Sequence, residues 1–299
     1  MALDCVVVPA PNELLAVIPG TWRRRVTLRH ARRWARAVLF ARRHNGALPP
    51  DAPTASFYPM RLEPTAAVAH VLARLGVRIC DFGAPAHLTF AWHTGTYVVP
   101  AVVARLPEGA INRACVDIAK SIVDRIWAEV AGYSIAVDPL TYRGQMVVKP
   151  DENGVRGGRV VQGPLTGTGP RTVYQRLVDS RAEGRIRTLR PMVFDGRILV
   201  VYTKARPEPN WFMGREEVRV VAADDVLSSD EQALLLRFCD AIALDYGELD
   251  VLRDNDSGRI YVVDANRTPI RPRGLAVADE DAAFGPLASA LASKLARGG

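Results

Sequence analysis

The chain has 299 residues, 48% apolar and 24% charged, a composition that fits a soluble globular protein with a sizeable core and room for two or three packed subdomains. No apolar run is long enough to span a bilayer, and MALDCVVVPAPNELL carries no basic stretch ahead of its short apolar run, so neither a membrane partner nor a secretory signal is expected. The four cysteines, Cys5, Cys80, Cys115 and Cys239, are scattered without metal-ligand or redox spacing and read as reduced thiols of a cytoplasmic protein.

Residues 4–8 (DCVVV) predict a first buried strand and residues 26–44 a basic amphipathic helix. Much of the net charge of +7 sits nearby, in Arg23, Arg24, Arg25, Arg29, Arg32, Arg33, Arg36, Arg42 and Arg43. Such a cluster can attract nucleic acid, a phosphorylated substrate or an anionic surface. Thin aromatic interleaving and the lack of a nucleic-acid motif favour a solvated helix face instead, and nucleic acid is not the expected partner. Residues 45–62 read as a loop. A helix over 64–75 and strands over 76–82 and 87–93 follow, and this alternation predicts a small α/β domain over residues 1–110, with 106–112 (LPEGAIN) as a linker. His87 and His93, near an apolar strand, read most simply as structural or surface residues, with lining of a substrate cleft as the alternative.

The pattern changes at residue 113. ACVDIAKSIVDRIWAEVAG has apolar residues at helical spacing and stops at Gly132. Strands are predicted over 145–150, 158–164, 172–179, 187–194 and 197–205, the last pair joined by an Asp195-Gly196 turn. A helix over 228–244 has Ser228 or Ser229 as its N-cap and acidic residues in its first turn. Residues 245–269 predict a hairpin: one strand ends in Asp250, a polar turn spans 254–258, and a second strand ends in Asp264 and Asn266. Residues 279–299 predict a final helix.

In that hairpin Asp250 and Asp264 lie on neighbouring strands, and Asp264 and Asn266 share a face because they are two residues apart. Three hard oxygen ligands suit magnesium. Polar residues on the outer face of a solvated hairpin are the competing reading. Lys149 ends the apolar strand MVVKP, where an ammonium can reach a phosphate. The following loop, with glycines at 154, 157, 158, 163, 167 and 169, can present backbone N–H groups to phosphate oxygens. Neither a GxxxxGK[ST] loop nor a GxGxxG opening a helix is present. YQRLVD (174–179) reads as an extended hinge. The chain has only the lysines Lys120, Lys149, Lys204 and Lys294, and in so arginine-rich a sequence each retained lysine suggests a need for a compact charge. Lys204 and Arg206 share a strand face.

Taken in order, these pieces resemble the ATP-grasp superfamily over roughly residues 112–275: Lys120, VVKP with Lys149, a glycine-rich loop, the YQRLVD hinge, the RTLRPMVFDGRILVVYTKARP hairpin with Arg190, GELDVL with Asp250, and YVVDANRTP with Asp264 and Asn266. The sequence departs from the usual pattern in having Asp264 where Glu is common, Thr188 where an acidic residue is common, Gln175 where Glu is frequent, and a short interval between Lys149 and the hinge. The resemblance implies an α+β fold in which two α+β subdomains, residues 111–180 and 181–299, sandwich ATP. It implies that Lys120 and Lys149 contact the α- and β-phosphates, that Gln175, Arg176 and Leu177 line the adenine hinge, and that Asp179 lies near the ribose. Asp250, Asp264 and Asn266 would hold one or two Mg2+ ions, and Arg190 would stabilise the transferred phosphoryl group. Lys204 and Arg206 would meet ATP or an acidic substrate. Arg267, Arg271 and Arg273 would bind phosphates or an acidic acceptor, with Arg273 joining Arg190 and Lys149 as a catalytic group.

The implied reaction is ligation: a carboxylate becomes an acylphosphate and an amine attacks it, with an amino acid, peptide or other small molecule as substrate. A phosphotransferase acting on a hydroxyl is the alternative, and a nucleotide-binding module without catalysis a third reading. Residues 1–110 and the loop 207–216, with Trp211 and Phe212, are expected to choose the substrate. The resemblance is compatible with a homodimer.

Overall fold

The computed structural model describes residues 35–155, 157–207 and 216–298. The expected strand at 4–8, the start of the basic helix, Cys5, Trp211 and Phe212 lie outside these residues. Among the described residues no helix is long and apolar enough to cross a membrane.

Helix α1 covers residues 35–46. Strands β1 (Thr54–Pro59), β2 (Arg78–Cys80) and β3 (Leu88–Trp92) form a parallel sheet in the order β2-β1-β3, with helix α2 (Ala67–Leu75) crossing from β1 to β2. Gly76 ends α2 at φ 63, a left-handed cap that glycine adopts without a Cβ clash. β1 lies inside the stretch expected to be loop. It is the central strand and is buried along most of its length, so TASFYP shows no polar alternation to betray it.

The expected linker and the first part of the helix after it take another form. Ile111 pairs with β3, donating to the Thr89 carbonyl and accepting from Ala91 N–H. Val116 accepts from Val98 and Ile118 donates to Thr96, so this stretch spends its backbone groups on the loop after β3. The helix, α3 (Lys120–Ala131), therefore begins six residues later than the apolar spacing from Ala114 predicts. Buried Asn112 closes this joint: its side chain donates to the Tyr246 carbonyl at 2.7 Å and accepts from Tyr246 N–H at 2.9 Å.

Strands β4 (Gln145–Pro150), β5 (Arg159–Gln162) and β6 (Thr172–Arg176) form a small antiparallel sheet in the order β5-β4-β6. The large antiparallel sheet holds β7 (Arg181–Ala182), β8 (Arg185–Phe194), β9 (Arg197–Pro207), β10 (Glu217–Val221), β11 (Tyr246–Arg253) and β12 (Ile260–Asn266), ordered β10-β9-β8-β11-β12 with β7 on β8. β10 was not expected; it is a short edge strand. Helix α4 (Ser229–Ala241) starts in a capping box, Ser228 accepting from Glu231 N–H and Glu231 accepting from Ser228 N–H. Helix α5 (Glu280–Gly298) closes the chain.

The large sheet is covered on both faces. Val193, Val201, Leu249 and Val251 pack against Val123 and Trp127 of α3 and Phe238 of α4. Met192, Phe194, Tyr202 and Tyr246 pack against Phe284 of α5, Leu72 of α2, and Phe57, Phe90 and Trp92 of the N-terminal sheet. By strand alternation this second face also carries Arg190, Lys204, Glu248 and Asp250. The apolar cover thus gives way along the same strands to a charged cleft.

Trp127 is fully buried, between Phe238 and Tyr133 at ring separations of 5.8 and 5.9 Å. Trp127→Ala is expected to cost about 3–5 kcal/mol, read as a lower midpoint in urea unfolding.

Candidate active site

Antiparallel pairing of β11 and β12 sets Asp250 directly opposite Asp264 and Glu248 opposite Asn266. All four side chains therefore emerge on one face, and a bulge follows Asp250. On the other side of β11, β8 brings in Arg190. Its Nε donates to Asp250 Oδ1 at 2.5 Å and its Nη2 to Oδ2 at 2.8 Å, while Nη1 reaches Glu248 Oε2 at 3.4 Å. Burial works against the Arg190 charge, but Asp250 and Glu248 more than offset it and hold the guanidinium protonated. Glu248 was not singled out from sequence, although it sits two residues before Asp250 and so shares its strand face.

Asp264 Oδ1 and Glu248 Oε1 are buried and find no hydrogen-bond partner among the described residues. Burial, and then the facing charge of Asp250, push the Asp264 carboxyl up to about 6, against the pull of Lys120 and Lys149. Burial pushes Lys149 down to about 8, with Asp264 opposing the shift. Lys149 Nζ donates to the Val263 carbonyl on β12 at 3.2 Å, and buried Lys120 Nζ donates to the Glu152 carbonyl at 2.5 Å. One stitch places both lysines. Asp151, just after β4, accepts from Ser121 N–H and Ser121 Oγ, each at 2.8 Å, and its carbonyl accepts from Lys120 N–H. The end of β4 is thereby fixed to the start of α3.

Arg190, Glu248, Asp250, Asp264 and Asn266 line a cleft of about 260 Å³ with Thr94, Asn153, Gly154, Ala265 and Thr268. Asn266 Oδ1 accepts from Thr268 N–H at 3.0 Å, which orients the amide. Lys204 is buried beside Glu216, 3.5 Å away, and burial and then Arg190 lower its pKa. Arg206 pairs with Glu216 at 2.8 Å.

Several expected site residues stand apart from the cleft. Gln175 is buried in β6. Arg176 binds the Tyr261 hydroxyl, stacks 4.6 Å from that ring, and reaches Asp254 at 3.4 Å. The Arg176 and Leu177 N–H groups donate to the carbonyls of Ile135 and Gln145. Asp179 accepts from Arg181 Nε at 2.7 Å, a contact that lowers its pKa. Arg271 donates to Glu280 Oε1 at 3.0 Å and to the Leu275 carbonyl. Arg273 is exposed, in a loop whose Gly274 lies against the Glu216 carbonyl.

The expectation that Arg267 binds a phosphate or an acidic acceptor is corrected. It is 1% exposed and donates to the carbonyls of His93, Cys115, Gly95 and Thr96 at 2.5–3.2 Å. Position just past the metal-type residues suggested a ligand contact. The fold instead uses the guanidinium to hold the loop after β3 against the end of β12. His93 Nδ1 accepts from Gly95 N–H in that loop, and His87 Nδ1 accepts from Thr54 N–H at the edge of the N-terminal sheet.

The three-sheet architecture, with facing acidic and basic side chains between the small and large sheets, is that of the ATP-grasp fold. The ATP-grasp ligase PsnB complexed with minimal precursor is similar to this chain at TM-score 0.55 and 15% identity, covering 82% of this chain and 99% of that one. PsnB complexed with a phosphomimetic variant of minimal precursor, Mg and ADP gives 0.56 and 14%, with the same coverage of 82% and 99%. D-alanine–D-alanine ligase from Bacillus anthracis complexed with ATP gives 0.50 and 15%, covering 82% of this chain and 96% of that one. No protein-family model and no curated protein matches the chain.

Arg267→Met would remove a donor from the carbonyls of His93, Gly95, Thr96 and Cys115, of which that of Thr96 also accepts from Ile118 N–H. It is expected to destabilise the protein by at least about 3 kcal/mol in urea unfolding, whereas a surface pair such as Arg125 with Glu129 would cost under about 1 kcal/mol.

Proposed function

We propose that this protein is an ATP- and magnesium-dependent ligase that activates a carboxylate as an acylphosphate for attack by an amine, on an amino-acid or peptide substrate. The observation that supports this most is the direct opposition of Asp250 and Asp264, with Arg190 beside them in the cleft and Lys149 reaching the β12 backbone at Val263. Two like charges set face to face in a buried position call for a cation. The donor set fits magnesium: hard oxygens from Asp250, Asp264 and Asn266, with Asp264 Oδ1 buried and unpartnered. When bound, magnesium supplies neutralisation of the phosphate oxygens.

The chain's own residues supply the rest. Lys149 and Lys120 would bind the phosphates that do not transfer, with added negative charge favouring the ammonium form of Lys149. Arg190 would offset charge on the phosphoryl group in transit. Adenine would lie at the end of β6, near the exposed apolar side chain of Leu177, with Asp179 toward the ribose. Lys204, Arg206 and Arg273 flank the acceptor side in this reading. A substrate carboxylate oxygen attacks the terminal phosphorus and ADP leaves. An amine then attacks the acyl carbon, the C–O bond to phosphate breaks, and inorganic phosphate departs as the amine loses a proton. A carboxylate acceptor is already ionised and needs no general base for the first step. The PsnB structures with precursor peptides support a peptide as substrate.

Phosphorus NMR with Mg-ATP and pooled amino acids, peptides, sugars and polyols tests the reaction. ADP and free phosphate are expected only when a carboxylate and an amine are both present. A stable phosphomonoester would overturn ligation in favour of phosphotransfer to a hydroxyl. Lys149→Ala and Asp264→Ala are each expected to lower ATP turnover by about 100-fold or more with the circular dichroism spectrum unchanged. Turnover near wild type would remove that residue from the site. EDTA should stop turnover, and excess Mg2+ should restore it.

A further inference from the structure

Glu248 poses a physical problem. Its side chain is 2% exposed, its Oε1 has no hydrogen-bond partner, and it faces the cleft two residues before Asp250. An unpaired buried carboxylate oxygen is costly, and nothing in the proposed reaction uses it. Asp250 poses the complementary problem. Both of its oxygens are gripped by Arg190, at 2.5 and 2.8 Å. Each oxygen keeps a second lone pair, but a guanidinium fork on both of them draws on their charge and repels an approaching cation. Among the described residues no three acidic, histidine or cysteine side chains gather around a common point where a metal ion could sit. Loading is therefore favoured when Arg190 moves off Asp250.

Arg190 is largely buried and cannot be left without a counter-charge. Glu248 is already at its other edge, with Oε2 3.4 Å from Nη1, a distance too long for a good hydrogen bond, and with Oε1 vacant. A small movement of the guanidinium along β11 would exchange the Asp250 fork for a Glu248 fork.

We propose that Glu248 is a positioning residue that takes Arg190 over from Asp250 as the metal enters, freeing Asp250 as a ligand while the guanidinium stays paired. This rests on the proposed function, because it presumes a divalent metal at Asp250 and Asp264. It gives both vacant features, the loose Nη1 contact and the unpartnered Oε1, a role in one motion.

The test is a thermodynamic cycle on metal affinity. Mn2+ binding is measured by electron paramagnetic resonance in the presence of a non-hydrolysable imido analogue of ATP, for wild type, Glu248→Gln, Arg190→Gln and the double variant, each checked for fold by circular dichroism. Glu248→Gln is expected to weaken Mn2+ binding about tenfold or more when Arg190 is present. In the Arg190→Gln background the same change should alter it by less than about threefold, because Asp250 is already free. Equal losses in both backgrounds would make Glu248 a direct ligand and overturn the exchange; no loss with Arg190 present would overturn it as well. Wild-type protein that binds no Mn2+ with the nucleotide would instead overturn the proposed function, which separates the two failures.

A second measurement needs no variant of Glu248. The Nε–H resonance of Arg190, identified by its loss in Arg190→Lys, should shift in nitrogen-15 NMR when Mg2+ and the analogue are added to wild type. A resonance that stays in place under saturating Mg2+ and analogue would overturn the exchange.

Discussion

The register of β11 against β12 is the constraint on which the site depends. Antiparallel pairing puts Asp250 and Asp264 face to face, and period-two alternation puts Glu248 and Asn266 on the same side. Burial, and then the charge of Asp250 directly opposite, push the Asp264 carboxyl up to about 6. Everything around the hairpin is arranged to balance that charge. β8 delivers Arg190 from one side, and the small sheet delivers Lys149 from the other, close enough to donate to the β12 backbone at Val263. A slip of one residue in the hairpin would turn the acids onto the face packed by α3 and α4, into an apolar layer that could not hold them.

The surroundings hold this arrangement rigidly at its edges. Asp151 binds the start of α3 to the end of β4, so the two lysines move as a unit. Asn112 ties the segment before α3 to β11, and Arg267 ties the end of β12 to the loop carrying Thr94. The same loop accepts Asn153 N–H at Thr96 Oγ1, 2.8 Å away, so the N-terminal unit also touches the turn that follows Lys149. Loop residues that line the cleft are thereby fixed from several strands at once, which is how a binding surface on loops gains precision.

Where local pattern and tertiary role agree, the sequence was legible. The hairpin, with its polar turn and i, i+2 acids, the capped helix α4, and β4 all follow the residues that encode them. Four features did not. β1 is central and buried, so TASFYP lacks alternation. Residues 114–119 have helical apolar spacing, yet their backbone groups are claimed by the loop after β3, a long-range pairing that periodicity cannot show. Glu248 drew no reading from sequence, although its spacing from Asp250 marks its face. Arg267 looked like a ligand contact because of its neighbours, and only the folded position of His93, Gly95, Thr96 and Cys115 reveals its partners.

The split between lysine and arginine has the same origin. Arginine dominates this chain, and at Arg190 and Arg267 the structure uses what only a guanidinium offers: several donors in a fixed plane, spread over two carboxylates or four carbonyls. Lys120 and Lys149 each donate to a single carbonyl, at Glu152 and Val263, which leaves further N–H groups of a compact ammonium toward the acids. Lys149, pushed down to about 8, retains a charge that responds to what enters the cleft, and a group of that kind belongs where anions arrive and leave.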